Sequence, residues 1–374
     1  MKILIAGDLV PTENNEKKFK RKDFINCFDK KFSSVWNKAD FRIFNLECPL
    51  CDNNTAISKN GALLKANPET INGIKSLNPS LILLSNNHIL DYGKEGLDST
   101  IQVLKNNNIP YTGIINSTRD NNITYYFEKD DIKIGIYNLC ENEFSVASQD
   151  SGGANPLDEY KNIMEIRKAK ENCDYLIVVF HGGKEYYRYP SPNLQRICRI
   201  FIDSGADFVV TQHSHCVGTE EKYKDGKILY GQGNFIFDCG VNNEFWNTAV
   251  IIELDITKDG FKNKYIPIEK YEGLIKICDN SQVIDALYDR EKEIRANGCV
   301  KKHYEKFAQD MLNSYLATIT KPNFFTKIMN RLSHGKYYIN RYKKKDLLKI
   351  LNMIECEAHR ELFIEGIKER IKDI

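Results

Sequence analysis

Long apolar runs are missing from this sequence: nothing in its 374 residues approaches the roughly 20 consecutive apolar residues of a membrane-spanning helix. The opening Met1-Lys2-Ile3-Leu4-Ile5-Ala6 reaches Gly7-Asp8 after only a few apolar residues, too short for the apolar region of a secretory signal, so ordinary export is not expected. A dominant charge is missing too. The 53 Lys and Arg nearly balance the 51 Asp and Glu, which removes any global pull toward nucleic acid. There is no internal repeat and no low-complexity segment. Cysteine is not scarce, but its 11 residues are odd in number and lack a framework spacing, so they read as reduced thiols and make the cytosol the default compartment. Histidine is scarce, at seven, so where each one sits carries information.

The chain is longer than a single hydrophobic core usually supports, which predicts one large domain with an appendage, or two domains. The charge divides the same way. Residues 281–374 carry 19 Lys and Arg against 13 Asp and Glu, whereas the first 280 carry 34 against 38. The tail also changes texture. Apolar positions recur at helical spacing over 281–319 and 345–372, separated by Lys321-Pro322 and a basic, Tyr-rich connector over 336–345. The expected division is a main domain over 1–275 and a basic α-helical region over 281–374. Lys343-Lys344-Lys345 belongs to no nucleic-acid module and reads as a solvated face or a patch for an acidic polymer or partner.

Before residue 275, strand and helix alternate at the spacing of βαβ units. Strands are predicted over 2–6, 41–46, 80–84, 111–114, 175–180, 208–210, 228–230, 235–237 and 249–256. Helices are predicted over 24–36, 68–77, 94–107, 157–172 and 193–204, with a loop over 14–22. Residues 125–140 read instead as an antiparallel hairpin about the charged turn Lys129-Asp130-Asp131, and Gly231-Gln232-Gly233-Asn234 reads as a turn.

Several of these strands end in polar residues able to hold a metal. Asp8 follows the first and Asn45 and Glu47 close the second. Asn87 and His88 follow the third, His181 ends the 175–180 run, and His213 and His215 follow 208–210. Side chains alternate along an extended chain, so His213 and His215 are expected on one side of a strand exit. Carboxylate, amide and imidazole donors at one edge of a sheet suit a divalent ion such as Mn²⁺, Fe²⁺ or Zn²⁺, without thiolates. One or two such ions would activate a water and clamp an anionic substrate, with a nearby unligated histidine to protonate the leaving group. Asp8 has a plainer reading as a turn residue or helix cap. Cys48 and Cys51 form a Cys-x-x-Cys with no second pair and no thioredoxin pattern, and read as incidental thiols; alternation turns Cys216 away from the two histidines.

The order of local motifs is Gly-Asp, Asn-Leu-Glu, Asn-Asn-His-x-x-Asp-x-Gly, His-x-Gly-x-Glu-Tyr, His-x-His and Gly-Asn-Phe. In this the sequence resembles the CapA family of capsule and poly-gamma-glutamate synthesis proteins, a bacterial branch of the calcineurin-like metallophosphatase fold, over about the first 271 residues. The resemblance implies an α/β (α+β) fold, a metallophosphatase-like four-layer αββα sandwich with the site at the strand C-terminal ends and a C-terminal helical appendage. It implies metal ligands at Asp8, Glu47, Asn87, His181, His213 and His215, with Glu47 bridging and Asn45 in reserve. It implies that His88 assists the leaving group with Asp91 orienting it, that Glu185 and Tyr186 face substrate, and that Asn234 sits near the site. The activity implied is hydrolysis of a phosphoester or gamma-glutamyl amide; the alternative is a metal-stabilised scaffold for an anionic polymer. A membrane-bound capsule-synthesis complex would be reached through partner proteins. One departure from the wider superfamily stands out: phosphoesterases begin Asp-x-His, and here the position two after Asp8 is Val10, which leaves one metal position short of a ligand.

Overall fold

The computed structural model describes residues 1–116, 123–148, 151–279 and 281–372. The last two residues of the expected C-terminal region lie outside them. Two compact units are present, Met1–Lys301 and Lys302–Ile374.

In the first unit the strands, in chain order, are β1 (Lys2–Val10), β2 (Phe41–Leu46), β3 (Leu81–Leu83), β4 (Tyr111–Thr112), β5 (Ile114–Ile115) and β6 (Thr124–Lys129). They continue with β7 (Ile132–Cys140), β8 (Gly153–Ala154), β9 (Tyr175–His181), β10 (Phe208–Gln212), β11 (Val217–Tyr223) and β12 (Gly226–Gln232). The last four are β13 (Asn234–Phe237), β14 (Thr248–Thr257), β15 (Gly260–Tyr271) and β16 (Leu274–Ile277). One sheet runs β16-β15-β14-β1-β2-β3-β4, with β13 also paired to β1; a second runs β11-β12-β10-β9-β7-β6, and β5 pairs with β8 in a small third sheet. Strands β1 to β4 are mutually parallel, as are β7, β9, β10 and β12, so each of the two large sheets gathers several C-terminal strand ends along one edge.

Period-two patterning builds the layers. Ile3 and Ile5 of β1 face the inter-sheet core with Ile177, Val179 and Val210, while Leu4 and Ala6 face the outer layer with Phe32 and Trp36. Leu176, Val178 and Phe180 of β9 turn to the opposite outer layer, against Ile166, Ile197 and Phe201 from the helices Glu159–Lys170 and Pro192–Asp203. Three apolar layers between helix, sheet, sheet and helix make the four-layer αββα sandwich.

Several local expectations change. Residues 24–36 keep aromatics at four-residue spacing but do not form one helix. A 3-10 turn (Phe24–Cys27) ends at Phe28, and Asp29 caps a new helix (Lys30–Asn37) by accepting from Phe32 N. The rings still stack in series, with centroid separations of 5.1 Å for Phe24–Phe28, 4.6 Å for Phe28–Phe32 and 5.4 Å for Phe32–Trp36. Trp36 is fully buried and donates from Nε1 to Leu77 O at 2.7 Å. Trp36→Ala is expected to cost about 3–5 kcal/mol through cavity formation and the orphaned carbonyl, measurable as a lowered urea midpoint. The loop expected over 14–22 contains a helical turn, Glu16–Phe19, and the expected strand 111–114 splits at Gly113 into β4 and β5.

The helix Gln282–Ile294, which composition groups with the C-terminal region, belongs to the first unit. Leu287 is buried in the inter-sheet core cluster, and Arg290 donates to the carbonyls of Gly218 at 2.9 Å and Val217 at 3.1 Å. The second unit contains the rest of the helix Cys299–Thr320 and the helices Phe324–Leu332, Tyr337–Arg341, Lys344–Glu355 and Glu357–Lys372. Among the described residues no helix is long and apolar enough to cross a membrane.

Candidate metal centre

Register brings the polar strand ends level. In the first sheet Asp8 of β1 lies opposite Asn45 of β2 on one side and Asn234 of β13 on the other. In the second, Cys140 of β7 and Gln212 of β10 flank His181 of β9, so Glu141 and His213 leave their strands at neighbouring points. Strand β1 passes close to the turn that precedes β13. A Cβ on Gly7 would lie 2.0 Å from the Gly233 carbonyl oxygen, so only glycine lets the chain place Asp8 there.

Asp8 is buried; its carboxylate accepts from Asn45 Nδ2 at 2.7 Å and from the backbone N–H of His213 at 3.2 Å. His181 lies between two carboxylates, with Nδ1 3.6 Å from Asp8 Oδ1 and Nε2 3.3 Å from Glu47 Oε1, and Asn87 Oδ1 is 3.0 Å from the same Nε2. Burial opposes its protonation, but Glu47 and Asp8 outweigh burial and push its pKa up to about 10. Burial would likewise raise Asp8, yet the hydrogen bond and charge of His181 hold its carboxyl below the usual range. His213 goes the other way: burial, then the neighbouring His181 and His215, keep it well below the ordinary imidazole value and hence neutral.

His213 and His215 are together, but not for the expected reason. Both have positive φ, 79° and 52°, so they lie on a left-handed turn beyond β10 and not on an extended strand. The turn itself brings their rings to 5.9 Å. His215 is held by Asn234 Oδ1 at 2.9 Å from its Nδ1 and by stacking on Trp246 at 4.7 Å. Cys216 is buried and its thiol is raised, chiefly by burial; Cys48 and Cys51 are buried free thiols raised the same way.

Three overlapping sets of side chains offer ligand atoms all within 4.8 Å of one another: Glu47, His181 and His213; Asp8, Glu47 and His215; and Glu185, His213 and His215. Both oxygens of the fully buried Glu47 and Nδ1 of His213 have no hydrogen-bond partner. A buried carboxylate left this way is costly in the absence of a cation. The orphaned atoms and the mixed carboxylate–imidazole donors together fit a divalent metal of intermediate hardness.

Beside this cluster, His88 Nδ1 is 2.7 Å from Asp91 Oδ2, which also accepts from Leu64 N at 2.7 Å. Lys59 pairs with Asp91 through its other oxygen and lies 3.1 Å from His88 Nδ1. Asn87, His88, Glu185, Tyr186, His215 and Phe144 line one cleft. Glu185 is thus beside the cluster, and Tyr186, at φ 59°, has its ring 6.0 Å from His215. Val10 is an apolar core residue, 1% exposed, and offers no ligand.

Four residues were not anticipated from the sequence. Glu141 follows β7, its Oε1 3.3 Å from His213 Nε2 and its Oε2 accepting from Gly183 N at 3.1 Å; burial pushes its carboxyl up. Its signal was available, since it closes an apolar strand as Asp8 and His181 do. Asn86 donates to Asn45 Oδ1 at 3.0 Å and Leu46 O at 2.8 Å, tying the β3 exit to β2. Lys59 comes from an irregular segment and Trp246 from the one-turn helix Glu244–Asn247, and neither had a sequence signal.

A family model described as bacterial capsule synthesis protein PGA_cap matches residues 2–239. The capsule biosynthesis protein CapA of Bacillus anthracis is 30% identical over 183 residues, covering 47% of this chain and 44% of that protein. The PGA biosynthesis protein CapA of Bacillus subtilis (strain 168) is 25% identical over 274 residues, covering 72% and 71%. The chain thus spans less than half of the first relative. Among solved structures, a putative 5'-nucleotidase from Staphylococcus aureus aligns with a TM-score of 0.45 at 16% identity, over 79% of this chain and 58% of that one. A phosphatase from Mycoplasma pneumoniae aligns with a TM-score of 0.44 at 18% identity, over 72% and 93%.

Proposed function

This chain belongs to the bacterial capsule synthesis family PGA_cap, and from that premise we propose that it is a metal-dependent hydrolase of capsule synthesis, acting on a phosphoester or gamma-glutamyl amide bond of an anionic substrate. The observation that carries the reading is the buried carboxylate of Glu47, both oxygens without a hydrogen bond, beside Asp8, His181 and His213. Asp8, Glu47, Asn87, His181, His213 and His215 would hold one or two Mn²⁺, Fe²⁺ or Zn²⁺ ions. When bound, such an ion supplies an acidified water and a positive charge for the developing oxyanion.

The remaining roles belong to the protein. His88, oriented through Nδ1 by Asp91, keeps Nε2 to protonate the leaving oxygen or nitrogen. Lys59 holds Asp91 from its other side and adds positive charge beside an anionic substrate. Glu185 and Tyr186 line the approach to His215. The enzyme would work in the cytoplasm and join a membrane-bound capsule-synthesis complex through partner proteins.

Val10 favours a second reading. An apolar core residue where phosphoesterases place a histidine fits a scaffold that uses metal for stability and binds the polymer without turnover. One experiment separates the two. Purified protein is expected to retain Mn, Fe or Zn and to hydrolyse p-nitrophenyl phosphoesters or gamma-glutamyl anilides. His213→Ala with His215→Ala is expected to lose both metal and turnover. Bound metal with no turnover on either substrate class selects the scaffold; a double variant that keeps full metal and full activity overturns both.

A further inference from the structure

The second unit presents an amphipathic helix the wrong way round for a soluble bundle. In Phe324–Leu332 the apolar residues Phe324, Phe325, Ile328, Met329 and Leu332 share one arc of the helix. That arc faces water: Phe324 is 77% exposed, Phe325 76% and Leu332 70%. The polar arc faces inward. Asn330 Oδ1 accepts from Asn313 at 3.1 Å, and Thr326 Oγ1 is 3.2 Å from the Tyr338 hydroxyl. Lys327 and Arg331 fall along one flank of the apolar arc, where long cationic side chains can reach past an apolar surface.

Charge is segregated over the same stretch. Residues 321–345 contain eight Lys and Arg and no Asp or Glu. A polyanion in solution needs only the cations and gives no reason to hold two phenylalanines in water. A neutral protein groove fits the apolar arc but not the eight positive charges. An anionic bilayer surface takes both at once, with rings sunk to the acyl boundary and cations among the headgroups.

We propose that residues 321–345 bind the surface of an anionic membrane, with Phe324, Phe325 and Leu332 inserted and the flanking Lys and Arg on the lipid headgroups. The inference does not rest on the metal centre and gives the chain a direct contact with the membrane that needs no partner protein.

The test is flotation of the full-length protein with phosphatidylcholine vesicles, with and without added phosphatidylglycerol. Wild type is expected to float only with the anionic vesicles and to be substantially released as NaCl nears about 1 M, where the Debye length falls to about 3 Å. Lys343→Gln with Lys344→Gln and Lys345→Gln is expected to weaken partitioning about 100-fold, from roughly a fivefold factor per cation. Phe324→Ser with Phe325→Ser is expected to weaken it at least about 10-fold; both sets change exposed positions, and unchanged circular dichroism confirms folding. The proposal is overturned by equal binding to neutral vesicles, or by vesicle binding that the Phe substitutions leave intact. It is equally overturned if soluble poly-glutamate is bound and vesicles are not, which would make a polyanion the occupant.

Discussion

Glu47→Gln is expected to weaken divalent-metal binding by more than about 100-fold, since partners that only orient metal ligands are already worth 10–100-fold. It is also expected to leave the metal-free protein as stable as before, or more so. Both Glu47 oxygens are fully buried and lack hydrogen bonds, and the nearest compensating group is His181 Nε2 at 3.3 Å. An amide of the same shape removes the cost of that carboxylate without opening a cavity, and Asp8, 3.6 Å from Nδ1, remains to balance the charge on His181. The two effects together identify a ligand. If Glu47 served packing or a structural ion pair, the substitution would lower the melting temperature with or without metal. As a ligand, it separates them: in EDTA the variant melts at or above wild type, while Mn²⁺ at 100 times the wild-type dissociation constant adds about 2.7 kcal/mol to wild type and less than about 0.4 kcal/mol to the variant. A variant destabilised in EDTA and still stabilised by metal would show that the cluster is held together by Glu47 and closed on its ion by other residues.

The same residue shows how far sequence alone could go. Glu47, Asp8 and His181 were legible because each closes an apolar strand, and parallel strands deliver their C-terminal ends to one edge. His213 and His215 were legible as a pair, but strand alternation was the wrong reason; the left-handed turn that joins their rings is a property of φ that no residue-type pattern announces. Lys59 was invisible because it arrives on an irregular segment and meets Asp91 only in three dimensions. Strand β15 was also missed. Its lysines and Pro267 blur the alternation, and it is recognisable only through its long antiparallel pairing with β14. The helix Gln282–Ile294 looks like its neighbours in composition, yet Leu287 anchors it in the inter-sheet core, a long-range contact that local periodicity does not encode.

His88→Ala is expected to keep its metal and lose about 10²–10⁴-fold in kcat on substrates with poor leaving groups, the usual worth of a positioned general acid. The geometry sets the direction of that loss. Asp91 accepts from Nδ1 at 2.7 Å and is itself fixed by Leu64 N and Lys59, so the ring is held with Nε2 left for proton donation. A general acid matters in proportion to how badly the leaving group needs a proton. The defect should therefore shrink strongly for p-nitrophenyl esters, whose leaving group departs as a stable anion, and be largest for alkyl esters or amides. Lys59→Met leaves the His88–Asp91 pair in place but removes the second hold on Asp91, and is expected to give a smaller loss with the same dependence on leaving group. A histidine that only shaped the cleft would raise KM and depress all substrates alike. A loss in His88→Ala that is the same for p-nitrophenyl and alkyl esters would therefore remove His88 from the proton-transfer role and leave the chemistry to the metal cluster alone.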